Sequence, residues 1–74
     1  MHWESICSDN VANFTVTLYC RHRQHSSAND YKVVLKSQGK VYQETTYEDR
    51  EVASECFDAV LETVLTLSEL ETFA

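Results

Sequence analysis

The chain has no proline and one glycine, Gly39. Loop-dominated scaffolds lean on both residues, so most of the chain is expected in regular secondary structure. Three cysteines, Cys7, Cys20 and Cys56, are odd in number and loosely spaced, which argues against a closed disulfide framework. No apolar segment of signal-peptide type precedes them, so a reducing cytoplasm is the expected compartment. The Asn13-Phe14-Thr15 glycosylation triplet carries little meaning without such a signal. No apolar run approaches the ~18 residues of a membrane helix, so no membrane partner is expected.

Cations are scarce where acids are dense. Residues 48–74 hold eight acids against Arg50 alone, whereas residues 1–47 hold five cations and four acids. The first part is therefore +1 and the second −7, which gives the net charge of −6. An acidic chain repels nucleic acid and anionic membrane and favours basic proteins as partners.

Seventy-four residues form one domain, 1–74, with 43% hydrophobic content, ordinary for a globular protein. A chain of this size buries only about 60% of its unfolded surface, so its core is small. That small core is itself a motive for homodimerisation.

Trp3, Ile6, Cys7 and Val11 recur at helical spacing and predict a short N-terminal helix, with an extended start at Trp3–Cys7 as the alternative. Asn13–Arg21 alternates, with Phe14, Val16, Leu18 and Cys20 on one face, and predicts a half-buried strand. Residues 22–30 read as a loop. Tyr31–Lys36 and Val41–Thr46 predict two more strands joined by a three-residue loop, Ser37-Gln38-Gly39. That loop opposes Lys32 with Glu44 and Val34 with Tyr42 on the outward face. Thr46-Tyr47-Glu48-Asp49 reads as a capping box for a helix running to about Leu67 or Leu70. Its apolar stripe is Ala53, Cys56, Phe57, Val60, Val64 and Leu67. The expected fold is α+β in (α)βββα order, a three-stranded antiparallel sheet covered on one face by the C-terminal helix. The open face, with Tyr19, Val34 and Tyr42, or the Trp3 segment is a candidate seat for a second subunit in a homodimeric adaptor or structural module.

Opposite the apolar stripe runs an acidic line. Glu48, Glu51, Glu55, Asp58, Glu62 and Glu69 are spaced 3, 4, 3, 4 and 7 apart. On a helix they fall within an arc of roughly 80°. Leu61 and Leu65 flank the line as candidate apolar anchors. The carboxylates advance about 5 Å apart, against about 3.4 Å for the phosphates of one DNA strand, so a basic groove built for nucleic acid could accept this face. A solvated helix face is the ordinary alternative, but such faces mix Lys with Glu, and this one has no cation after Arg50.

Cys20, His22 and His25 match no common zinc spacing, so no metal and no cofactor are expected. Cys56 falls on the apolar face, and the acids point into water, so the chain is not expected to be an enzyme. Arg21, Arg23, Lys32 and Lys36 with nearby tyrosines offer a direct nucleic-acid surface, which the rest of the chain opposes.

Two resemblances add to this. Lys32–Leu61 is similar in element order to double-stranded-RNA-binding domains, but the lysine cluster those domains place at the helix start is replaced by Tyr47-Glu48-Asp49-Arg50-Glu51-Val52. The likeness is topological, that of a degenerate domain. In size, single-domain build, acidity and the one-sided line Glu48–Glu69, the whole chain resembles the small acidic phage and mobile-element inhibitors of the anti-CRISPR and DNA-mimic type. That resemblance implies a cytoplasmic inhibitor whose partner is a basic protein that handles nucleic acid, for example a host defence nuclease complex.

Overall fold

The computed structural model describes residues 2–24 and 27–73, with side-chain surroundings through residue 69. Four strands, β1 (Glu4–Val11), β2 (Phe14–His22), β3 (Asn29–Ser37) and β4 (Lys40–Tyr47), precede one helix, α1 (Arg50–Phe73). The strands form an antiparallel meander in the order β1-β2-β3-β4.

The expected three-stranded sheet with an N-terminal helix is therefore wrong. Residues 4–11 are an edge strand paired with β2. Ser5, Ser8, Asp9 and Asn10 are poor helix formers, and an unpaired β2 edge offers their backbone a better set of partners. Side chains reinforce the pairing: Thr15 Oγ1 donates to Asn10 Oδ1 at 2.7 Å, and Ser8 meets Thr17 at 3.2 Å. A bulge between Ser5 and Cys7 shifts the alternation at Ile6, which is why a period of two is hidden there. The β1–β2 turn is Ala12-Asn13, with Ala12 at φ 53°.

Strand β2 faces the helix with Val16 and Leu18, and β3 with Tyr31 and Val33, all buried. These alternations are the ones expected from the sequence. The β3–β4 register is not. Ser37 pairs with Lys40, so the loop is the two residues Gln38-Gly39, at φ 52° and 77°. Positive φ at both positions matches the twist of the flanking strands. A bulge in β4 then opposes Leu35 with Gln43 and Val34 with Glu44. Loop and bulge together move the pairing beyond the bulge by two residues from the expected register, so the side chains from Gln43 onward keep their faces, whereas Val41, before it, opposes Lys36 and is 51% exposed. The expected Lys32–Glu44 pairing becomes a diagonal ion pair of 3.1 Å. Tyr42, at the bulge, packs edge-on to Phe14 with ring centroids 6.1 Å apart, instead of opposing Val34.

The helix begins later than the capping box predicts. Thr46 and Tyr47 remain in β4, and Asp49 caps α1: its Oδ1 accepts from Glu51 N at 2.8 Å. Ala53 and Phe57 in the first two turns and Val64 further on are buried against β2 and β3. The 24-residue helix rises about 36 Å, whereas a nine-residue strand spans about 30 Å. Leu67, expected in the buried stripe, is instead 50% exposed and lines an open groove between the helix and the sheet.

On the outer face, Thr17 and Val34 are opposed and buried. Val34, a candidate anchor for a second subunit, is only 4% exposed, beside the Lys32–Glu44 pair. No helix among the described residues is long and apolar enough to cross a membrane.

Candidate protein-binding face

Burial of Ala53, Phe57 and Val64 fixes the rotation of α1, and the opposite side is left to water. Glu51, Glu55, Asp58, Glu62 and Glu69 all lie there and are all exposed. Glu51 to Glu69 are eighteen helical steps apart, about 27 Å. Among the described residues, none of their carboxylates forms an ion pair or a side-chain hydrogen bond. Leu65 lies beside the line, 48% exposed, and Leu61 is half-buried against the core.

Glu48 departs from this group. It precedes α1, and its Oε1 takes a 2.9 Å bond from Arg23. Arg23 Nε also donates to Asp30 Oδ1 at 2.9 Å, and Arg21 reaches Asp30 Oδ2 at 3.2 Å. The hydrogen bond from Arg23 holds the Asp30 carboxyl below its ordinary pKa, with Arg21 adding to it against the opposing effect of burial. In turn Asp30, then Glu48, raise the Arg23 guanidinium above its ordinary value. The cluster ties the β2–β3 connection to the corner where α1 starts. Arg23 N also closes that connection onto Ala28 O at 3.1 Å.

The sheet cations proposed for nucleic acid are largely engaged. Arg21 lies 4.4 Å and Lys32 4.5 Å from the centre of the Trp3 ring. Lys32 also sits 5.2 Å from the Tyr19 ring. Cation–π contact with Trp is the strongest of its kind. Trp3 thus closes one end of the outer face, a role that sequence reasoning missed because it depends on β1 being a strand. Arg21, Arg23 and Lys32 are each held by a carboxylate, whereas Lys36 and Lys40 are exposed. The result is a division: Asp30, Glu44 and Glu48 are each paired with a cation, and Glu51, Glu55, Asp58, Glu62 and Glu69 are not, among the described residues.

A groove of about 340 Å³ opens between α1 and the β4 side of the sheet. Phe14, Leu35 and Gln43 contribute from the sheet, with Val60, Val64 and Leu67 from the helix. Ala59 and Thr63 form a low wall. Cys56 lies in the same groove, and its Sγ accepts a 2.9 Å hydrogen bond from the Tyr47 hydroxyl. That bond, with burial, raises the Tyr47 pKa, because it holds the phenol as a donor. Nothing in the sequence pattern marks this groove, since it depends on where the helix lies across the strands.

Cys20 packs against the core, and His22 Nδ1 meets Asn29 Oδ1 at 2.8 Å. His25, the third candidate ligand, lies outside the described residues. Among the described residues no group of three His, Cys, Asp or Glu side chains is arranged to hold a metal. Comparison of the chain with protein-family models, curated proteins and solved structures gave no match.

Proposed function

We propose that the protein is a non-enzymatic binding protein that lays the acidic face of α1 against a basic surface of a partner protein. That surface is one that otherwise holds nucleic acid, and its occupation inhibits the partner. The observation that carries this reading is the division of charge. Arg21, Arg23 and Lys32 are spent on Asp30, Glu48 and Glu44, while Glu51, Glu55, Asp58, Glu62 and Glu69 stand exposed and unpaired among the described residues. Like charges at these spacings repel, so the line costs the isolated helix stability. A surface that costs stability in isolation and is relieved by an opposite surface is suited to binding.

Glu48 precedes α1 and is paired with Arg23 at the corner, so it stands at the edge of this face. The central residues are Glu51, Glu55, Asp58 and Glu62. Reversing Glu55 and Asp58 to Lys is expected to abolish binding to the partner at low salt while the circular dichroism spectrum stays native. Nucleic acid added to the complex is expected to displace the protein from its partner. Undiminished binding by the reversed variant would exclude this function.

A further inference from the structure

We propose that the groove between α1 and β4 takes a bulky apolar side chain from a basic segment of the partner protein, while that segment's cations lie on the acidic line. This rests on the reading of the acidic line given above and adds the apolar half of the contact.

The groove has room for an anchor. Its 340 Å³ lies at the lower end of the volumes that hold ligands, enough for one or two side chains. Phe14, Leu35, Val60 and Val64 give it an apolar lining, and Leu67 stands half-exposed at its mouth. Thr63 makes no demand on an occupant, because its hydroxyl already donates to Ala59 O at 2.9 Å. Thr66 likewise donates to Glu62 O at 2.9 Å.

The groove and the acids share a rim. A shallower depression bordered by Ala59, Thr63 and Leu67, all three of which also line the groove, continues across the helix to Glu62. On the helix, Ala59 and Thr63 lie roughly 80° and 120° from Glu51, and Glu62 roughly 20°. One extended or helical segment can therefore place an apolar side chain in the groove and a cation on Glu62 or Glu55. Leu65 is on the other flank of the line, roughly 40° from Glu51, so it does not serve this anchor.

Charge selects the occupant. A second copy carries the same net charge of −6 and would bring acids towards this rim. Nucleic acid and anionic lipid are repelled for the same reason. A basic segment gains from both halves of the surface.

The test uses two labelled synthetic peptides of equal length and charge, one of Lys and Ser only, the other with two Ser replaced by Leu. Affinities come from fluorescence anisotropy at low salt, and contacts from amide shifts of the labelled protein. The wild type is expected to bind the Leu peptide at least about tenfold tighter, as burial of one Leu-sized side chain gives, with shifts at Phe14, Leu35 and Thr63. Ala59→Trp, which fills the groove from an exposed wall position, is expected to erase that preference and leave the Lys/Ser affinity unchanged. Leu67→Ser, at the half-exposed mouth, is the second variant and is expected to reduce the preference without unfolding the chain. Equal wild-type affinity for the two peptides, or shifts confined to the acidic face, would overturn the groove anchor while leaving the acidic line standing. Binding of neither peptide would overturn both. Groove shifts that grow with protein concentration and need no peptide would identify a second copy as the occupant and overturn the proposal.

Discussion

Reversing Glu55 and Glu62 to Lys is expected to make the protein more stable. In the native helix the neighbouring carboxylate pairs are Glu51/Glu55, Glu55/Asp58 and Asp58/Glu62, at separations of four, three and four residues. Each like-charge pair costs about 0.2–0.5 kcal/mol, and each opposite pair returns a similar amount. The double reversal converts all three, a swing of about 1–3 kcal/mol. All these groups are exposed, so water and salt screen them, and the lower part of the range, about 1–1.5 kcal/mol, is the expected gain. For a domain of this size that is a rise in melting temperature of roughly 5–10 °C. Urea denaturation followed by circular dichroism at low salt gives the free energy directly. Glu55→Gln/Glu62→Gln should give about half the gain, because it removes repulsion without adding attraction. Added salt should stabilise the wild type and weaken the advantage of the Lys variant. A reversed variant no more stable than wild type at low salt would refute the argument that the line is a tolerated cost.

Three further outcomes follow from local geometry. Asp49→Ala should cost about 1 kcal/mol by denaturation, and Thr46→Ala should cost no cap energy, because Asp49 bonds Glu51 N while Thr46 remains in β4. Ala12→Gly and Gln38→Asn should each stabilise the protein by about 0.5–1 kcal/mol, since both native residues hold positive φ that Gly or Asn adopts more readily; unchanged denaturation midpoints would contradict this. Asp30 has its pKa lowered in the fold, so the unfolded chain binds more protons as pH falls towards and below the ordinary aspartate value. Its contribution is present above that value and is lost as pH falls through the folded pKa; the stability gap between wild type and Asp30→Asn should narrow from pH ~5 downward, and a constant gap would contradict the pairing.

The faces of β2 and β3 were legible because their alternation is unbroken from Phe14 to Cys20 and from Tyr31 to Leu35. Strand β1 was not, because the bulge at Ile6 interrupts the period and the remaining spacing of Trp3, Cys7 and Val11 imitates a helical one. The β3–β4 loop was misread because Gln38 is an unfavourable residue at positive φ, and the bulge beside Tyr42 returns only the side chains from Gln43 onward to their expected faces, leaving Val41 opposite Lys36 and Tyr42 against Phe14. Thr46 resembled a cap by spacing alone; the partner that decides the matter is Tyr31, which holds Tyr47 in the sheet and delays the helix to Arg50. Most of the acidic line could be read directly, since exposed residues on a helix need only its period. Glu48 could not, because Arg23 reaches it from 25 residues away. The groove was invisible for the same reason: it is made by the position of α1 over the sheet.

The most direct measurement is affinity capture from the source cell's lysate with two baits, the wild type and Glu55→Lys/Glu62→Lys, at low and at high salt, with captured proteins identified by mass spectrometry. The expected result is a basic, nucleic-acid-handling protein held by the wild type at low salt, released at high salt and absent from the reversed bait. The same protein retained equally by both baits, or nothing held but the chain itself, would contradict it and make the acidic line a solvated surface.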